Sequence, residues 1–255
     1  MKVLPPLFLM VFLSASVCTC IYADIIINES FESYPAGPLV DNETEIKALG
    51  LTGSFRIVGE NKASIVSGSM SYVGGSLTVN GGAQYLELSG TSRFGAVNEE
   101  LSARIDPADG SLFQSFLYRF NGPLNSRNGG SAAFQSSIKG SNSTNNMGTQ
   151  SSGSKLRTFV GRANTSTVSG AVVEDTVYFI VVEYIASGGE WTGANVWINP
   201  ESSVQVPPTY TVTGAASNTV WRALSSIAAN LDEDDSINVD RYSVGRTWSD
   251  VVSVP

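Results

Sequence analysis

Short runs in which apolar and polar residues alternate, each closed by Gly, Asn, Ser, Asp or Pro, recur along most of the chain. They fall at Leu77 to Leu88, Leu101 to Ile105, Leu112 to Phe120, Lys155 to Val160, Val177 to Ile185, Asn195 to Ile198, Tyr210 to Val212 and Val239 to Val244. Each is rich in β-branched or aromatic side chains, which suit a pleated, half-buried surface, and each is predicted to be a strand. No segment keeps a helical period over several turns. The nearest is Trp221 to Ala229, where Trp221, Leu224, Ile227 and Ala228 fall at helical spacing, and a short helix is expected there. Strands without crossover helices can bury their apolar faces only against another sheet. The expected fold is therefore all-β, a sandwich of two antiparallel sheets with at most one or two short helices.

Turn chemistry fills the gaps. Asp106-Pro107-Ala108-Asp109-Gly110 has Pro and Gly where a turn needs them and is expected to join two strands as a hairpin. Ser187 to Gly193 is expected to join Val177–Ile185 to Asn195–Ile198 through a longer loop. Asn121 to Gly130 and Gly140 to Ser154 are dominated by Ser, Asn, Gly and Thr and are expected as exposed loops within one domain. Val177 to Ile185 and Leu112 to Phe120 are apolar on both faces, as central strands covered on most of their surface would be. Arg119 and Glu183 are the charged exceptions on those strands. The plain alternative for both is an ion pair, or edge charges facing water.

Composition narrows the chemistry. The chain has 255 residues, within reach of one β-sandwich. Residues 1–23 read as a secretory signal: Lys2 gives the positive charge, Val3 to Val17 the apolar stretch and Ala23 the small residue at the cleavage position, so the mature protein would start at Asp24 as a single domain to residue 255. That stretch is shorter than the ~20 residues of a membrane span, and Pro5-Pro6 interrupts it. Both cysteines, Cys18 and Cys20, lie inside the signal without a lipobox pattern before them, which leaves the mature chain no thiol and no disulfide. There is no histidine anywhere, so Ser-His-Asp chemistry and the commonest zinc ligand are excluded. A net charge of −8 with scattered Lys and Arg speaks against nucleic-acid binding.

Two end segments bracket the strand-like region: Asn28-Glu29-Ser30-Phe31-Glu32-Ser33-Tyr34-Pro35-Ala36-Gly37, and Asn238-Val239-Asp240-Arg241-Tyr242-Ser243-Val244-Gly245-Arg246-Thr247-Trp248. They resemble the first and last strands of bacterial exported concanavalin A-like, or laminin G-like, jelly-roll domains, which open on E-S-F-E and close on an alternating D…G-x-T-W. The resemblance implies a jelly roll, a bacterial secreted or envelope location, and a packing role for Trp248. It further implies a concave outer sheet face that holds a ligand, with Arg119 and Glu183 marking its floor. A structural calcium is implied where first and last strands meet, held by Glu29 or Glu32 together with Asp240. Arg241 stands where the pattern often has an acid, and its charge competes with a cation.

The same superfamily includes laminarinases and other glycoside hydrolases, whose paired carboxylates sit on one strand as E-x-D-x-E. That motif is missing, and the acidic runs at Asp41 to Glu45 and Asp232 to Asp235 lie in turn-like sequence. Sugar sites combine aromatic faces with amides and charges. Trp191 is the expected exposed stacking residue, with Asn195 and Trp197 following it; packing is the alternative for each tryptophan. The leading expectation is an exported, monomeric, non-catalytic module that binds a glycan or another surface polymer. The alternatives are a glycoside hydrolase or polysaccharide lyase with scattered carboxylates, and a structural envelope protein with no small ligand.

Overall fold

The structure is a computed structural model that describes residues 25–59, 62–89, 95–125, 128–136, 146–160, 164–168, 171–232 and 234–253. The expected signal segment, with Cys18 and Cys20, lies outside the described residues. In chain order the strands are β1 (Ile25–Glu29), β2 (Gly37–Pro38), β3 (Leu51–Gly59), β4 (Lys62–Ser67), β5 (Ser71–Gly74), β6 (Leu77–Asn80), β7 (Gln84–Ser89), β8 (Gly95–Ile105), β9 (Leu112–Asn121), β10 (Gly129–Gln135), β11 (Asn146–Ser152), β12 (Lys155–Val160), β13 (Asn164–Val168), β14 (Tyr178–Ser187), β15 (Glu190–Ile198), β16 (Tyr210–Ser217), β17 (Trp221–Ala229) and β18 (Ser236–Gly245). A short helix, α1 (Trp248–Val252), follows.

A nine-stranded sheet runs β16-β15-β14-β9-β18-β7-β4-β2, with β1 on β18, and a seven-stranded sheet runs β13-β12-β11-β10-β17-β8-β3. All pairings are antiparallel, and the two sheets form the expected sandwich around one apolar interior that includes Phe55, Phe116, Phe134, Tyr184, Trp221 and Tyr242. Central strands β9 and β14 are apolar on both faces because the outer face of the nine-stranded sheet is also covered. The β5–β6 hairpin and α1 lie on it, and Met70, Leu77, Val79, Trp248 and Val251 pack there against Phe113, Leu117, Phe179, Val181 and Trp197. A capping box at Thr247, with Asp250 returning the bond to the Thr247 amide, starts α1 where β18 ends.

Several local expectations are corrected. Trp221–Ala229 is a strand and not a helix. The register slips between Trp221 and Ala223, so Trp221 and Leu224 both point inward although three residues apart. Leu77–Leu88 is two strands in different sheets, broken at Gly81-Gly82. Part of the expected loop 140–154 is strand β11, whose inward Thr149 and Ser151 bond Thr158 and Tyr118 at 2.8 and 2.5 Å. Those hydroxyl pairs satisfy polar groups in the interior, so the strand shows no hydrophobic alternation. The Asp106–Gly110 turn is a 3₁₀ crossing between the two sheets, since β8 and β9 belong to different layers. The Ser187–Gly193 connection is tighter than expected: Ser187 faces Glu190 across Gly188-Gly189, whose φ values of 63° and 78° suit a two-residue hairpin turn.

Candidate functional site

Strand β18 organises the outer face of the nine-stranded sheet. Its first half, to Val239, pairs with β7, and from Tyr242 it pairs with β1. At the change of partner the register shifts, and Arg241 adopts a left-handed φ of 50°. Asp240 is left in the gap with its carboxyl buried. Oδ1 accepts the Arg241 amide at 2.7 Å, and Oδ2 has no partner. Burial, more than the nearby acids Glu32 and Glu29, raises its pKa to about 9. Gly81 makes room for it, because a Cβ there would stand 1.9 Å from Oδ2.

Glu29 is engaged elsewhere. Its Oε1 accepts the Phe31 amide at 2.6 Å and its Oε2 the Tyr34 hydroxyl at 2.7 Å, while burial raises its pKa against those bonds. Glu32 accepts the Ala83 and Gln84 amides at 2.6 and 2.8 Å, fixing the entry to β7. Of the two acids near the first strand, Glu32 disturbs Asp240 more. Among the described residues no three Asp, Glu, His or Cys side chains converge on one point.

From Asp240 toward the start of β18 the outer face is polar. Asn238 lies opposite Arg119 on one side and Glu87 on the other, and Glu87 lies opposite Ser64. Ser236 lies opposite Asn121 and Ser89, and Ser89 opposite Lys62. Directly opposed side chains share a face about 5 Å apart, so these rows form one patch. Asn121 donates to Asn238 Oδ1 and, at 2.8 Å, to Ser236 Oγ, which donates to Glu87 at 3.4 Å. The Arg119 guanidinium lies 5.6 Å from the Tyr85 ring centroid, stacked over a half-buried aromatic. It makes no ion pair among the described residues. Arg119 Nε and Asn238 Nδ2 both lack a hydrogen-bond partner, but both atoms are buried, so the surface of the patch is made by the rest of Arg119 with Tyr85, Glu87 and Asn121, all half-buried.

The remaining sequence candidates lie apart from this patch. Glu183 faces Phe113, roughly 20 Å along β9 from Arg119 at the ~3.4 Å rise of a strand, so the two do not share one groove floor. Glu183 accepts Asn195 Nδ2 at 2.9 Å, and Asn195 Oδ1 accepts the Thr211 hydroxyl at 2.9 Å, a row of cross-strand bonds over three strands. Trp191 is fully buried in the interior and donates Nε1–H to the Thr219 carbonyl at 2.9 Å, which overturns the expectation of an exposed stacking residue. Trp197 is buried beneath the cover, its ring 5.0 Å from Trp248, with Nε1–H donated to the Val206 carbonyl. The sequence reading passed over Tyr85, Glu87 and Asn238. The period-two polar pair Asn238 and Asp240 on a strand otherwise rich in apolar residues was the available signal.

No family model matches the chain, and no curated protein matches it in sequence. Solved structures do match it in shape. The globular domain of T. cruzi calreticulin superposes with a TM-score of 0.50 at 11% identity, covering 73% of this chain and 82% of that one. The binding domain of botulinum neurotoxin DC, in complex with SialylT, gives 0.51 at 11% identity and covers 88% of this chain. A further receptor binding domain gives 0.51 at 10% identity, and this chain spans 48% of the length of each of these last two. At such identities the likeness defines a fold class alone: a two-sheet antiparallel β-sandwich of the jelly-roll kind.

Proposed function

We propose that this protein is an exported, non-catalytic module that binds a glycan or another surface polymer through the open polar half of the nine-stranded sheet. The observation that carries this reading is Arg119, a half-buried guanidinium stacked on Tyr85 with no acidic partner among the described residues. Sugar hydroxyls and carboxylates accept from such a donor, a half-buried tyrosine offers a face for a pyranose ring, and Glu87 accepts in return. The sheet backbone holds these groups in register, which lowers the ordering cost of binding. The glycan-binding character of lectin-like folds agrees with this reading but does not specify the ligand.

The junction below this patch suits a hard cation such as calcium. Asp240 contributes an unpartnered carboxylate oxygen, Glu32 is the neighbouring acid, and Met70 places a carbonyl near the space kept open by Gly81. The calcium ligands would accordingly be Asp240 and Glu32, since both oxygens of Glu29 accept hydrogen bonds whereas the two amides bound by Glu32 share its Oε1. A bound ion would supply positive charge to those acids and tie β18 to the start of β7.

The test is a polysaccharide pull-down and glycan-array screen on the protein from Asp24, with reducing-sugar release followed in the same samples. Capture by wild type and its loss in Arg119→Ala and Tyr85→Ala, without sugar release, is the expected result. Sugar release abolished by a carboxylate substitution would make the protein an enzyme, and no capture of any glycan would leave a structural envelope role.

A further inference from the structure

The opposite layer of the sandwich holds a second polar feature. At the edge of the seven-stranded sheet a cavity of ≈ 240 Å³ is lined by Asn42, Thr52, Ser54, Arg56, Asn98 and Glu100. A bulge makes it. Strand β3 pairs with β8 at Thr52↔Glu100 and again at Arg56↔Asn98, so the intervening β3 residues are looped out of the ladder. Gly53, with φ of 80°, starts the detour. Phe55 turns inward, fully buried and edge-on to Tyr34 at 5.1 Å. The preceding segment closes the outside of the bulge: Asn42 donates to the Phe55 carbonyl, Ile46 to that of Gly53, and Phe55 to that of Thr44, each at 2.9 Å. A space remains between the bulge and β8 whose lining side chains are all polar.

The base of the cavity is built and not merely exposed. Asn98 is buried, with 3% of its surface exposed, and its Oδ1 accepts the Ser225 hydroxyl of the adjacent strand at 2.5 Å. Arg56 is half-buried and Glu100 exposed, and they stand in different rows of the ladder, the donor-only group opposite Asn98 and the acceptor-only group opposite Thr52. The amides and hydroxyls between them both donate and accept. Vicinal hydroxyls, each a donor and an acceptor, match that alternation. The volume suits one sugar ring and falls below the ~300–1,000 Å³ of pockets for drug-sized ligands.

We propose that this bulge cavity is a second binding site, taking a single neutral hexose unit. It faces away from the Arg119 patch, because the two sheets are opposite layers. If the Arg119 patch binds polymer as proposed above, one molecule can therefore hold two chains and bridge them, and that bridging alone rests on the first reading.

Residue-resolved amide NMR on the protein from Asp24, titrated with D-glucose, D-galactose and D-mannose at millimolar concentrations, tests the cavity directly. The amides of Thr52, Ser54, Arg56, Asn98 and Glu100 are expected to shift with at least one of these sugars. Thr52→Trp, at an exposed position, fills the space, and Arg56→Gln removes the cation while keeping a donor. Each should weaken that response about tenfold or more, with the rest of the spectrum unchanged. No shift at these amides with any of the three sugars, or equal shifts in both variants, would overturn the site. Shifts at Tyr85 and Arg119 are read separately, so failure of one site is distinguishable from failure of the other. Aggregation of a polysaccharide suspension by wild type should disappear in Arg119→Ala and in Thr52→Trp alike.

Discussion

Two halves of one sheet face behave in opposite ways. Strand β9 contributes Phe113 and Leu117 to a half closed by the β5–β6 hairpin and α1, and Arg119, two residues further along the same side, to a half left open. The closed half is a second core, in which Trp197, Trp248 and Phe179 exclude water from a surface that would otherwise be sticky. The open half keeps half-buried polar and charged side chains, Arg119 and Glu87 among them, that no segment covers among the described residues. A groove and a core can thus be built from the same strands, and what distinguishes them is whether another segment of chain lies on top.

The comparison can be broken first on the closed side. Trp197→Ala should cost about 3–5 kcal/mol, read from urea unfolding, because the ring fills space between Phe113 and Trp248. On the open side Arg119→Ala should lower glycan affinity about tenfold or more. Its unfolding midpoint should barely move, since no ion pair among the described residues is lost. Equal stability losses in the two variants would show that both halves are structural.

The boundary between the halves is tested by pH. The raised Asp240 pKa of about 9 means the folded state holds its proton more tightly than the unfolded chain, whose carboxyl titrates near 3.8. Its contribution is fully present below pH 3.8 and is lost as pH rises through about 9. In chelator, the wild-type melting temperature should fall between neutral and alkaline pH, and Asp240→Asn should flatten that slope. Added calcium should stabilise the wild type at alkaline pH and leave Asp240→Asn unchanged. The buried Glu99, whose pKa is raised by burial and then by Glu29, adds a slope of the same sign in both proteins. The smallest effect belongs to Glu183→Gln at the far end of the face, about 1 kcal/mol or less in stability, with glycan capture unchanged.

The sandwich was legible because β9, β14 and β18 carry long alternating or doubly apolar runs, and the turn residues between strands are explicit. The cover was not legible. Two-sided apolarity in Phe179 and Val181 is the same whether the outer neighbour is a hairpin, a helix or another protein. Strands β11 and β17 escaped because their inward positions include Thr149, Ser151 and Ser226, whose hydroxyls bond Thr158, Tyr118 and Tyr242 inside. Hydrophobic alternation cannot register a polar group satisfied in the interior. Arg119 was singled out as a charge on an apolar strand, but Tyr85, Glu87 and Asn238 become its neighbours only through the register of three strands distant in sequence.

The central place of β18 also bears on timing. The last strand to be synthesised of those described lies between β9 on one side and β7 and β1 on the other, so until residues 236–245 have emerged the nine-stranded sheet is three unjoined pieces, β16-β15-β14-β9, β7-β4-β2 and β1. Such long-range closure is slow and cannot proceed segment by segment during synthesis. A chain delayed in this way completes that sheet only after its last described strand has left the ribosome.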